Sequence, residues 1–380
     1  MAKPGKNVIH YPSIALLFAC CIAWIIFHNG WFPLTLALGI FFIGRIGIRY
    51  LTGHPTSGLK LIKNIALVLC FVLTALCCTF LRSETNYAYF LNHENPLEVL
   101  SQDRWTPLSK ATSVDTKTSF NGSSARHEIV LIRRRQPSIW GKLLNRILLQ
   151  EVHVFRFNPH NDFYLLADVT NDFTPLTVQE ANERKASDFI LNSSFYDPEN
   201  HAIGEIIYLG KRYQKKTKSS GYFKVIHGIP HAGPASIFNN LPGEPAYSCQ
   251  AHPSTLKDGQ MFNYIENESL QALWNQKTYR NLMGEMTNGD FVVVVSGNGG
   301  LVDVKEITQI AQLLGVNHAT LFDAGSALQY RFTNPNYSME FSAFNNSLDL
   351  GSFADRICVK LFRKNVIQRS PVYIGIKLNE

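Results

Sequence analysis

Positions 290–323 read DFVVVVSGNGGLVDVKEITQIAQLLGVNHATLFD. Four successive valines after Phe291 make a β-rich run, DFVVVVS (290–296), too apolar for a loop. Asp303 with Glu306 three positions on has the form of a capping box, in which each side chain satisfies an N–H of the other's turn. Ile307, Ile310, Ala311 and Leu314 then fall on one helical face, and Gly315 suits the residue after a helix end. A short strand, HATLFD (318–323), follows. This strand–helix–strand unit decides the fold class.

Outward from it, β-like runs dominate: EVHVFRF (151–157), DFYLLADV (162–169), SDFILN (187–192), EIIYLG (205–210) and YFKVIHG (222–228). Trp140, Leu143, Leu144, Ile147 and Leu148 recur at helical spacing and predict a helix over 139–149. Many strands, few helices and one late crossover predict an α+β, mixed-sheet soluble domain over 151–380. Positions 83–150 read as linker and peripheral elements.

The chain has 380 residues, room for about two domains. Its 46% apolar content excludes wholesale disorder. Net charge is +7, but positions 1–81 hold six basic residues and no acid. That leaves 36 − 6 = 30 Lys and Arg against 29 acids beyond them. A balance so near neutral excludes a strongly basic nucleic-acid-binding domain. Arg133-Arg134-Arg135 reads as the only dense basic stretch beyond position 81, and as a solvated strand end.

Positions 13–28, 31–48 and 61–81 are apolar and close in length to the ~20 residues that cross a bilayer. A single cleaved leader does not account for three such stretches. Residues 1–82 therefore read as a membrane anchor of three transmembrane helices, with the lipid bilayer as partner. Lys3 and Lys6 before the first, and Arg45, Arg49, Lys60 and Lys63 around the second loop, orient the N-terminus to the cytoplasm. The C-terminal domain is then expected to be extracytoplasmic, periplasmic or extracellular. Five of seven cysteines lie in these stretches; Cys249 and Cys358 remain, either bridged or as two buried thiols. No CxxC, HExxH, GxSxG, Walker loop or post-strand GxGxxG occurs, and no cofactor or metal is implied. His227 and His231, separated by Gly228 and Pro230, read as loop histidines.

Four segments place polar groups where β-runs meet turn residues: Asn192-Ser193-Ser194-Phe195-Tyr196-Asp197, with Gly204 beyond; Cys249-Gln250-Ala251-His252-Pro253, with Asp258-Gly259; Tyr279-Arg280-Asn281, with Gly284; and Leu321-Phe322-Asp323-Ala324-Gly325-Ser326. Their order and spacing resemble the phosphodiester glycosidase family, that of the mannose 6-phosphate uncovering enzyme. Asn192 and Phe195 match its first motif, and Gly204 and Gly210 the glycines after it. QAHPSTLKDG (250–259) is similar to its Pro-x-Leu segment, Arg280 and Gly284 to its Arg-x-x-x-Gly element, and Asp323, Gly325 and Ser326 to its acidic turn. The likeness covers about 185–362. Ser193, Ser194 and Ala324 stand where that family has glycines.

The resemblance implies hydrolysis of a sugar-1-phosphodiester, with a phosphorylated glycan as substrate. Such a bond already has a good leaving group, so the site needs a carboxyl near the anomeric carbon and donors for the phosphate. Asp323 suits the first role and Arg280, with its bidentate fork, the second. Asn192 can donate to a sugar hydroxyl or a phosphate oxygen. Backbone N–H groups around Ser193, Ser194, Gly325 and Ser326 can cradle an anion. Glu205, Asp197 and Glu285 are open choices for a second carboxylate. The alternative is an inactive module on the same fold that binds an envelope glycan or serves polysaccharide assembly.

Overall fold

The structure, a computed structural model, describes residues 95–137, 142, 150–197, 199, 201–266, 275–343 and 369–379. The strands in chain order are β1 (Leu97–Ser101), β2 (Arg104–Pro107), β3 (Thr116–Asn121), β4 (Ala125–Arg134), β5 (Glu151–Phe157) and β6 (Asp162–Ala167). Helix α1 (Val178–Arg184) precedes β7 (Phe189–Asn192) and the small hairpin β8 (Phe195–Tyr196) and β9 (Ala202–Ile203). Then come β10 (Ile206–Tyr208), β11 (Lys211–Gln214), β12 (Gly221–Ile226), β13 (Ile229–Pro234), β14 (Pro245–Ala251), β15 (Ser254–Lys257) and β16 (Gln260–Met261). The last run is β17 (Asn281–Met286), β18 (Phe291–Ser296), α2 (Val304–Leu313), β19 (Val316–Leu321), β20 (Gln329–Asn334), β21 (Tyr337–Ser342) and β22 (Val372–Lys377).

Three large sheets result, besides the two-stranded β8–β9 hairpin, among the described residues. A ten-stranded sheet runs β16-β15-β19-β17-β18-β5-β4-β1-β2, with β3 also on β4. Two five-stranded sheets run β11-β10-β14-β12-β13 and β21-β20-β7-β22-β6. Aromatic and aliphatic side chains from all three, among them Phe155, Phe223, Phe291, Leu191 and Tyr330, form one shared core. A second core lies between the other face of the ten-stranded sheet and α2, around Ile307, Ile310 and Val294. Asp303 and Glu306 close the expected capping box at the start of α2.

The expected mixed-sheet α+β class is corrected: the sheets are antiparallel throughout. The crossover through α2 does bring β19 back in the direction of β18. However, β17 lies between them and pairs antiparallel with both, so no parallel pair forms. The stretch 83–150, which reads as linker, supplies β1–β4, and β4 pairs with β5 along seven residues. Arg134 is not a solvated strand end. Its buried guanidinium grips both carboxylate oxygens of Glu306, Nη2 to Oε2 at 2.7 Å, and ties β4 to the cap of α2. Arg133 lies over Trp105 and pairs with Glu98.

The integral-membrane architecture and the extracytoplasmic placement built on it are also corrected. Among the described residues no helix is long and apolar enough to cross a membrane. The three apolar stretches of 13–81 lie outside the described residues, as do Cys358 and, apart from Lys142, the helix expected over 139–149.

Candidate functional site

The ends of strands from all three sheets meet at Asp323. β7, an interior strand between β20 and β22, ends on Asn192. β19 runs through Phe322 into the acidic turn, β17 begins at Asn281, and β14 carries Cys249. The Asn192 amide donates to the main-chain oxygen of Asp323 at 3.2 Å, and its Oδ1 accepts the N–H of Gln329 at 2.9 Å. The Asn281 amide bridges the main-chain oxygens of Asn192 (3.0 Å) and Asp323 (3.3 Å). The N–H of Asp323 returns to the oxygen of Ser193 at 3.2 Å. Asn192, Ser193, Asn281 and Cys249 are fully buried.

Asp323 as a residue is half-buried, but its Oδ2 is shut off from solvent and has no hydrogen-bond partner. Burial pushes its carboxyl up to about 8, against the opposing pull of the Ala324 N–H and the Asn192 amide. A carboxyl so placed is mostly protonated at neutral pH and can donate its proton. Burial likewise pushes the Cys249 thiol up to about 12, so it is a neutral, unreactive neighbour lying 3.8 Å from the Ser193 hydroxyl. Cys249 is a free thiol.

Ser193 and Ser194 sit in ordinary backbone, with no positive φ at either. Ser193 donates both its N–H and its hydroxyl to the oxygen of Val372 (3.1 and 3.3 Å), and Ser194 donates its hydroxyl to the oxygen of Phe195. Gly325 keeps the φ of +66° that favours glycine, and its N–H bonds the oxygen of Tyr279 at 2.9 Å. Ser326 follows in the same short turn. The N–H groups of Ser193 and Gly325 are therefore engaged within the protein rather than turned toward a ligand.

Arg280 is not brought to Asp323. Side chains alternate along a strand, and Leu282 packs in the α2 core while Met283 packs in the shared core. Arg280 shares the face of Leu282. Its buried guanidinium donates to the oxygens of Gln276 (2.7 Å) and Val302 (3.4 Å), and burial draws it down to about 10, still cationic near neutrality. Asn281 shares the face of Met283 and fills the place beside Asn192 and Asp323. Its signal in the sequence was its position one residue past Arg280, where alternation inverts the face. Gly284 is required for another reason: a Cβ there would stand 2.2 Å from the oxygen of His318.

The three candidates for a second carboxylate lie elsewhere. Glu205 pairs with Arg212 at 3.0 Å on the five-stranded sheet, on the side of Gln250 rather than of Cys249. Glu285 holds the N–H of Ala232 and the His231 ring on β13. Asp197 accepts from the backbone and ring of His201 across the tip of the β8–β9 hairpin. Asp197, Glu199 and His201 place three ligand-type atoms within 4.8 Å and are the set, among the described residues, with the donor chemistry for a metal ion. They are half-buried to exposed, and Asp197 and His201 already bond one another.

No family model and no curated protein matches the sequence. Among solved structures, the chain is similar to the zebrafish N-acetylglucosamine-1-phosphodiester alpha-N-acetylglucosaminidase catalytic domain auto-inhibited by its pro-peptide. Identity is 14%, with 72% of this chain and 91% of that one covered, at a TM-score of 0.49. It is also similar to a hypothetical protein from Synechocystis, at 13% identity, 70% and 64% coverage and a TM-score of 0.43. These are likenesses of structure, without a shared sequence family behind them.

Proposed function

We propose that the domain hydrolyses sugar-1-phosphodiester bonds, with Asp323 as the proton donor. The observation that carries this is the meeting of Asp323, Asn192 and Asn281 from three separate chain segments around a carboxyl oxygen that no protein group satisfies. A phosphodiester is an anion. An ionised carboxylate would repel it, whereas a protonated one can rest against it and donate a hydrogen bond. As the bond between anomeric carbon and oxygen breaks, the proton of Asp323 passes to the departing phosphate monoester. A water molecule then attacks the anomeric carbon, and the proton it sheds returns to the Asp323 carboxylate and restores the acid. Asn192 and Asn281 act as positioning residues, since their amides hold the Asp323 turn. The substrate class rests on the motif resemblance.

The test is hydrolysis of an alkyl phosphodiester of N-acetylglucosamine 1-phosphate by the full chain, with release of sugar and alkyl phosphate as readout. Asp323→Asn should lose at least about 100-fold in turnover, the scale of general-acid catalysis. Equal rates would remove Asp323 from the role. A second reading, a non-catalytic glycan-binding module, is favoured by the commitment of Arg280 and of the Ser193 N–H to protein carbonyls. Saturable binding of the same compound without turnover would establish it.

A further inference from the structure

The outer face of the β11-β10-β14-β12-β13 sheet carries a charged cluster that the site at Asp323 does not use. Cys249 and Gln250 are neighbours on β14 and point to opposite faces. The Cys249 thiol reaches Ser193, whereas the Gln250 amide takes the Lys215–Ser219 loop, accepting from Thr217 N at 2.9 Å and donating to the oxygens of Thr217 (2.9 Å) and Ser219 (3.2 Å). This loop closes the run KRYQKKTK (211–218), five of whose eight residues are basic, so Arg133–Arg135 is not the only dense basic stretch beyond position 81.

On that face Lys224 stands in β12, an interior strand, so the role of lysine in blunting sheet edges does not account for it. It is half-buried, and its ammonium lies 4.6 Å from the ring centre of Tyr222 and 5.0 Å from that of Phe238. Lys216 stands over the same Tyr222 ring at 5.9 Å. Lys224 has no ion pair or hydrogen bond among the described residues. The carboxylate nearest in this cluster, Glu205, is engaged by Arg212 at 3.0 Å. Burial pulls the Lys224 ammonium down, as do Lys216 and Arg212, while Glu205 and the exposed Glu244 oppose them. Directly across from Lys224 in the β12–β14 register is Ser248. It is fully buried, and its hydroxyl has no partner.

We propose that Lys224, Lys216, Arg212 and Ser248 form a second site, which binds the phosphate group of a small phosphate monoester such as a sugar phosphate. An ammonium already stripped of much of its water, beside an unsatisfied hydroxyl, gains most from a compact, strongly accepting anion. Phe238, half-buried at the rim, offers apolar surface to whatever carries the phosphate. Lys224, Lys216 and Arg212 outnumber Glu205 and the exposed Glu244 by one charge, which suits a single phosphate group; a nucleic-acid strand would need a longer positive track. The proposal does not depend on the hydrolase reading.

The test is calorimetric titration of the full chain with inorganic phosphate, glucose 1-phosphate and glucose. Both phosphates should bind and glucose should not. Glucose 1-phosphate binding tighter than phosphate would identify the sugar phosphate as the source, and equal affinities the free anion. Lys224→Gln should weaken phosphate binding at least tenfold. Lys216→Gln, at an exposed position that folding does not need, should weaken it severalfold. Lys110→Gln, at an exposed lysine outside both sites, should leave phosphate binding as it is. Full-strength binding by both lysine variants, equal weakening by Lys110→Gln, or displacement of phosphate by a short single-stranded oligonucleotide at lower concentration would each overturn the proposal.

Discussion

Asn192 and Asp323 are joined through the side-chain amide of the first and the main-chain oxygen of the second, 131 positions apart, at 3.2 Å. The same amide group accepts from Gln329 through Oδ1, so one buried side chain fastens β7 to the acidic turn and to β20. Asn192→Ala strips both partners of a fully buried side chain. The expected cost is about 1–3 kcal/mol for each unsatisfied group, measured by urea denaturation. Asn192→Asp keeps the acceptor for Gln329 but loses the donor, and should be less stable than wild type above the pH at which the new carboxyl ionises.

Asp323 also sets a pH dependence. Its carboxyl has an ordinary value of 3.8 and is pushed up to about 8 in the fold. Below about pH 4 both folded and unfolded chains hold the proton, and the contribution to stability is whole. As pH rises from there toward 8 the unfolded chain releases the proton while the folded one keeps it, so stability falls; above 8 the loss is complete. Asp323→Asn should flatten this stretch of the stability profile. Turnover in the wild type should decline with an apparent pKa near 8, and a rate that is flat across pH 7–9 would count against Asp323 as acid.

His127 gives the opposite slope. It is buried in stacking contact with Phe155, with Nε2 2.7 Å from His153 Nδ1 and Nδ1 2.9 Å from the Tyr337 hydroxyl. Burial, with His153 beside it, draws it from 6.5 down to about 3. A ring held neutral in the fold and protonated in the unfolded chain destabilises the protein as pH drops from about 6.5 toward 3. His127→Phe should remove that acid limb while lowering stability at pH 8, since Tyr337 and His153 each lose a partner. Thermal melts at pH 4.5 and 8 would show both effects.

Arg280 gives a choice between two roles. If its guanidinium serves the carbonyls of Gln276 and Val302, Arg280→Lys should lower the melting temperature and leave KM for a phosphodiester within about twofold. A phosphate-binding role would instead raise KM at unchanged stability. Arg134→Met is expected to be more damaging, about 3 kcal/mol, because it leaves the Glu306 carboxylate buried beside Asp303 with Lys277, at 3.1 Å, as its remaining cation.

β5 and β18 were legible as apolar, β-rich runs because both of their faces are buried, one in the shared core and one in the α2 core, and the Asp303–Glu306 box marks the start of α2. What could not be read was which strand lies beside which. Nothing local in DFVVVVS or HATLFD reveals that β17 stands between them, and that insertion turns a mixed sheet into an antiparallel one. At the site, Asn192 and Asp323 were legible as polar groups at strand ends, and they do meet. Arg280 was the candidate, while the residue that reaches the site is its neighbour Asn281; the two differ only by strand parity, which depends on which face of β17 the core takes. Glu205, one of three open choices for a second carboxylate, is turned to the other face by the register of β10 on β14.

β22 lies between β6 and β7, and its first residue, Val372, receives the N–H of Ser193, 179 positions earlier. The order of synthesis therefore matters. A growing chain exposes β6 and β7 long before Val372–Lys377 has been translated, and until then the two strands have no partner between them. For that interval their inner edges are open hydrogen-bonding templates for other chains. A nascent polypeptide halted before Val372 would have made Asn192, Asn281 and Asp323 but not the strand that fixes the Asn192–Ser193 corner. It should be prone to aggregation, and expression of the chain should depend on whatever shields that gap during elongation.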